Sequence, residues 1–162
     1  MNFSGIVINK ALNNNVQFAE ELLGEKLAFV KDITLQDAFQ MQDQDPDDTL
    51  IDIYYGTEGS IIFAPLDYCL DGYPMPKNLM SFTFEISDDV ENYQFIYFEG
   101  ENLVRTKMEM AGDIIEAYGY ELAVESMETS TRGIILKQIP FILGEALEQL
   151  PLTTKVKRYR LK

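Results

Sequence analysis

The sequence contains no histidine and no tryptophan, and a single cysteine, Cys69. Each absence removes a class of chemistry. Without histidine there is no Ser-His-Asp triad, no Cys-His pair, no imidazole base and no His-containing zinc site. One cysteine permits neither an internal disulfide nor a Cys-rich zinc or iron–sulfur site. Cys69 has Asp67 and Asp71 as neighbours, which would raise its thiol pKa and oppose nucleophilic duty. The lack of tryptophan removes the commonest sugar platform. There is no Ser-x-x-Lys pair, no Gly-x-Gly-x-x-Gly and no Walker A pattern, so the usual phosphate cradles are missing. Apolar runs fall far short of the roughly 18–20 residues that a transmembrane helix needs, and no basic-then-apolar leader opens the chain. Together with the cysteine count, this predicts a cytoplasmic protein with no membrane partner.

What is present is acid. Among 162 residues, 27 acids face 13 cations, for a net charge of −14. Five of the cations lie in 155–162, which has no acid, so residues 1–154 carry eight cations against 27 acids, or −19. The chain therefore reads as a single acidic domain over 1–154 followed by a basic C-terminal tail over 155–162. The tail is expected to fold against the acidic body. Such a body repels phosphate, which excludes nucleic acid and favours a basic protein partner. An apolar fraction of 46% supplies a core without help from a metal or cofactor, and none is expected.

Periodicity predicts an α+β fold: a mainly antiparallel sheet of five to seven strands with about three helices packed on it. Strands are expected over 3–9, 27–33, 50–55, 60–64, 79–86, 93–98 and 103–110, with 79–86, 93–98 and 103–110 as successive neighbours. Asn14 or Asn15 caps a helix carrying Val16, Ala19, Leu22 and Leu23, which Gly24 ends. Thr34 caps a second helix with Leu35, Ala38 and Phe39 on one face, and Asp37 completes a weak capping box. Residues 65–78, with three prolines, form a long connection. Residues 133–138 fit strand or helix. Pro140 sits near the start of a last helix with Ile142, Leu143, Ala146, Leu147 and Leu150 as its apolar stripe.

Two loops concentrate acid. Asp43, Asp45, Asp47 and Asp48 lie in 43–48, and Asp88, Asp89 and Glu91 in 87–92, with Tyr93 beside them as an aromatic anchor. These eight residues are the candidate contacts for a basic partner. Asp43, Asp45 and Asp47 have the 1-3-5 spacing of an EF-hand, but Asp48 stands where its glycine is needed and Tyr54 where its bidentate glutamate is needed. A solvated loop is the expectation there. Tyr93, Phe95, Tyr97 and Phe98 could stack on bases, yet Glu91, Glu99 and Glu101 flank them, so they are assigned to the core.

The stretch 93–100, then Leu103-Val104-Arg105, then Gly112 to Glu116 and Gly119, resembles a segment of small uncharacterised bacterial proteins. Those carry an aromatic strand, an acidic-glycine turn, a Leu-Val-Arg strand and a Gly-x-x-x-Glu-x-x-Gly turn. Residues 139–147 resemble their closing Pro-Phe helix. The resemblance implies an α+β fold and a bacterial source, with no activity attached. In type alone, a compact acidic domain of this kind is also similar to immunity proteins that neutralise polymorphic toxins. The expected function is a non-catalytic acidic module that binds a basic protein. The alternative is a carboxylate- and divalent-metal-dependent hydrolase, since 27 acids include pairs that can meet in space.

Overall fold

The structure is a computed structural model describing residues 1–162. It is α+β, with three α-helices packed on one sheet. The strands are β1 (Asn2–Ile8), β2 (Leu27–Thr34), β3 (Leu50–Tyr55), β4 (Ser60–Phe63), β5 (Met80–Ser87), β6 (Asn92–Glu99), β7 (Asn102–Met110), β8 (Asp113–Gly119) and β9 (Lys155–Leu161). They form one sheet in the order β2-β9-β3-β4-β1-β5-β6-β7-β8. Every pairing is antiparallel. The expected neighbours β5, β6 and β7 are adjacent, with Ile86 opposite Tyr93 and Phe95 opposite Lys107.

The sheet has nine strands rather than five to seven, because two segments hide their strand character. Residues 113–119 are exposed throughout and so lack apolar alternation, and their Gly-x-x-x-Glu-x-x-Gly pattern reads as a turn; they form β8. Residues 155–161 read as a basic tail, yet they form β9 inside the sheet, between β2 and β3. Val156 and Tyr159 supply its buried positions. Its cations meet acids on the flanking segments. Lys155 and Lys157 lie 3.0 and 2.9 Å from Asp32, Arg158 lies 2.8 Å from Asp52, and Arg160 lies 3.7 Å from Asp47. The division into a domain and a tail therefore gives way to one continuous fold.

Helix α1 (Val16–Leu23) begins where the Asn15 side chain accepts the Gln17 amide, and ends at Gly24 in the left-handed region. Helix α2 (Leu35–Gln44) begins at the expected Thr34–Asp37 capping box. Helix α3 (Thr131–Leu143) is capped by Ser130 and starts nine residues before Pro140, so the proline lies inside the helix rather than at its start. The interior position costs α3 a hydrogen bond, and burial of Ile134, Ile135, Ile139, Ile142 and Leu143 holds the helix together across it. Gly144 then stops it in the left-handed region, and Leu147 falls in a separate short turn.

Apolar clusters lie on both faces of the sheet. One joins α2 and α3 to Phe3, Phe63, Phe82, Phe84, Ile86, Phe95 and Tyr97. Phe82 stacks on Phe95 at 5.2 Å. Burying each such ring contributes about 1.5–3 kcal/mol. The second cluster joins α1 to Ile6, Ile8, Ile53, Ile62 and Cys69. Burial pushes the Cys69 thiol up to about 12, which keeps it protonated.

Candidate functional site

Strands β1, β3, β6 and β8 begin, and β4, β5 and β7 end, at the same end of the sheet. Strand β4 is only four residues long, so β1 runs on past it. The last turn of α2 fills the missing place. The Ser4 amide donates to Gln42 Oε1 at 3.0 Å, and Gln42 Nε2 donates to the Ala64 carbonyl at 3.1 Å. The Asn2 amide donates to Asp43 Oδ1 at 2.9 Å. These bonds satisfy backbone groups that a longer β4 would have paired. Beside them opens a cavity of about 190 Å³, lined in part by Ser4, Gln42, Asp47, Asp48 and Glu85.

Asn2 links the two acidic segments. Besides its bond to Asp43, its Nδ2 donates to Asp89 Oδ2 at 2.7 Å, and its Oδ1 accepts the Asp89 amide at 3.3 Å. The neighbouring turn belongs to the same surface, because the Ala111 amide donates to the Glu91 carbonyl at 3.0 Å. Acids from α2, from the approach to β3, from the β5–β6 turn and from the start of β8 thus share one end of the molecule.

The eight sequence candidates have different surroundings. Asp43 lies in the last turn of α2, and Asp45 caps its C-terminal end. Asp47 accepts the Thr49 amide and hydroxyl at 2.9 and 2.6 Å, which lowers its carboxyl below the ordinary aspartate value. Asp48 lines the cavity. Asp88 accepts Arg132 Nε and Nη2 at 2.8 and 3.2 Å, and this pairing holds it down at about 2. Tyr93 is half-buried against the core, and its hydroxyl donates to Asp88 at 2.9 Å. Asp89 and Glu91 are exposed. Asp43, Asp45, Asp48, Asp89, Glu91 and Asp113 take part in no ion pair. No three acids gather in metal-binding geometry, and the EF-hand spacing is broken because Asp43 is helical while Asp47 turns toward Thr49.

Sequence reasoning missed Asn2, Gln42, Glu85 and Asp113. Only Glu85 leaves a local trace, as the one charged residue of its strand. Burial raises its carboxyl above the ordinary glutamate value, with no hydrogen bond to oppose the rise. Its cross-strand neighbour Gln94 has a buried Nε2 without a partner. A raised carboxyl contributes stability that is present below its unfolded pKa and lost as pH rises through the folded value. Glu85→Gln is therefore expected to raise the thermal midpoint at pH 7 and to leave it unchanged near pH 3. A lower midpoint at pH 7 would mean that the carboxylate is stabilised by its surroundings.

The chain matches no family model, no curated protein and no solved structure. No helix is long and apolar enough to cross a membrane.

Proposed function

We propose that this protein is a non-catalytic, acidic binding module whose sheet end, bearing Asp43, Asp45, Asp48, Asp89, Glu91 and Asp113, receives a basic protein partner. The observation that carries the reading is the gathering of six acids without ion pairs from separate segments onto one surface. Charges left uncompensated on a folded surface repel one another, and a cationic partner relieves that repulsion while accelerating encounter. The same field repels phosphate, which selects a protein over a nucleic acid. An immunity protein that neutralises a basic toxin is a function of this type, and a cytoplasmic bacterial setting is part of the proposal.

The test is a pull-down from the native host at about 50 mM and about 500 mM salt, with Asp89→Lys/Glu91→Lys as control. The expected result is a specific basic protein, retained at low salt, released at high salt and lost with the control. Recovery of only neutral or acidic partners, or of a small molecule seated in the Glu85 cavity, overturns it.

A further inference from the structure

Strand β8 is the outermost strand of the sheet, hydrogen-bonded to β7 on one side and to nothing on the other. All seven of its residues are exposed, including Ile114, Ile115 and Tyr118 at 50, 57 and 58%. An unpaired edge of this length is a template for another strand, and proteins usually blunt it with lysine, proline or cover. The opposite edge, β2, is guarded in that way. It carries Lys31, a bulge between Phe29 and Lys31, and Asp32 bound to two lysines of β9. Strand β8 has no lysine, arginine or proline. Its one irregularity is an extra residue at Ile115, which leaves 116–119 in regular register with β7.

The register gives β8 two unlike faces. Asp113, Glu116 and Tyr118 lie opposite Met110, Met108 and Thr106 on one face. Ile114, Ala117 and Gly119 lie opposite Glu109, Lys107 and Arg105 on the other. Asp113 and Glu116 form no ion pair, and the two cations of β7, Arg105 and Lys107, belong to the other face, where they pair with Glu125. From this we infer that β8 takes up an extended segment of a basic protein by strand addition, a segment that alternates cationic and apolar residues. Its cations meet Asp113, Glu116 and the Tyr118 ring, its apolar residues meet Ile114 and Ala117, and its backbone completes the open ladder. The inference rests on the acidic-module reading and locates the partner's seat, because the start of β8 abuts the β5–β6 turn through Ala111 and Glu91. A second copy of this chain is the wrong occupant. It would bring two bodies of charge −14 edge to edge, with Asp113 and Glu116 in each.

The probe is a capped ten-residue peptide of alternating lysine and valine, titrated into the full chain by calorimetry and followed by amide hydrogen exchange. Two control peptides keep its composition: one is N-methylated at every second residue, the other carries its lysines and valines in two blocks. The expected result is slowed exchange within 113–119, and binding at least about tenfold weaker for either control. A similar loss is expected for Asp113→Lys/Glu116→Lys with the alternating peptide. Equal affinity for the N-methylated peptide overturns strand addition, because charge alone then suffices. Protection outside 113–119, or a concentration-dependent dimer that protects β8 without peptide, overturns the assignment. If the pull-down finds a basic partner while β8 exchange is unchanged, the edge inference fails and the acidic-module reading stands. If the peptide docks but no basic partner is captured, the broader reading fails alone.

Discussion

Arg158→Ala is expected to destabilise the fold by about 3–5 kcal/mol, because it leaves Asp52 charged, unpaired and without access to water. Asp52 is 0% exposed and lies opposite Arg158 in the β3–β9 register. The guanidinium holds both carboxylate oxygens, Nε to Oδ1 and Nη2 to Oδ2, at 2.8 Å each. Burial raises the Asp52 carboxyl, and the Arg158 hydrogen bonds and charge oppose that rise. Removing Arg158 removes the opposition, so Asp52 in the variant has a folded pKa well above its unfolded one. Such a group contributes stability below the unfolded pKa and loses it as pH rises. The deficit should therefore be largest at neutral pH and shrink below about pH 4. Urea unfolding at pH 7 and pH 3.5 measures both. Asp52→Leu/Arg158→Met, which removes both charges, should recover most of the loss. A deficit below about 1 kcal/mol at pH 7 would show that water reaches Asp52 when the arginine is gone.

Arg105→Ala is expected to cost about 2–4 kcal/mol and to loosen β8 ahead of the rest of the sheet. Arg105 and Glu125 are 7 and 5% exposed, with Nη2 to Oε1 at 2.7 Å and Nε to Oε2 at 3.1 Å. Arg105 Nη1 also reaches the carbonyls of Tyr118 and Gly119 at 3.4 and 3.3 Å, so one side chain ties the end of β8 to the turn at 123–126. Glu125 in turn accepts the Leu122 amide at 2.6 Å. Lys107 Nζ stays 4.0 Å from Glu125 and offsets part of the loss, which places the expected cost below that of Arg158→Ala. Arg105→Lys keeps the charge but loses the planar fork, and should fall between the parent and alanine. Hydrogen exchange should show 113–119 exchanging faster while 80–99 stays protected. Uniform acceleration across the sheet would mean that Arg105 supports the whole fold and has no particular hold on β8. If β8 is where a partner strand adds, the same variant weakens docking by disordering its template.

The sheet centre was legible because its signals are short-range. Alternating Phe82, Phe84 and Ile86, then Tyr93, Phe95 and Tyr97, are joined by turns too short to allow any but adjacent strands. The caps at Asn15 and Thr34 and the stop at Gly24 were legible for the same reason, since each rests on a side chain or a glycine within three residues of a helix end. The placement of Pro140 was misread because a proline near apolar residues fits a helix start or a tolerated interior position, and only the burial of Ile134 to Leu143 decides between them. The candidate site was half legible. Sequence reasoning found the acids of 43–48 and 87–92 by composition, but their meeting at Asn2 joins residues 41 and 87 positions apart.

What the sequence by itself determined was the net charge, the exclusion of histidine and paired-cysteine chemistry, the α+β class and the hairpin order of β5, β6 and β7. Tertiary structure alone decided that 155–161 is an inner strand. Its four cations oppose burial in isolation, and Asp32, Asp47 and Asp52 offset that cost only once the chain has closed over more than 100 residues. It also decided which acids are used up in ion pairs and which remain free, and that β8 is left open at the edge. Local pattern records what a residue prefers, whereas compensation of charge and pairing of edges depend on neighbours that only the folded chain supplies.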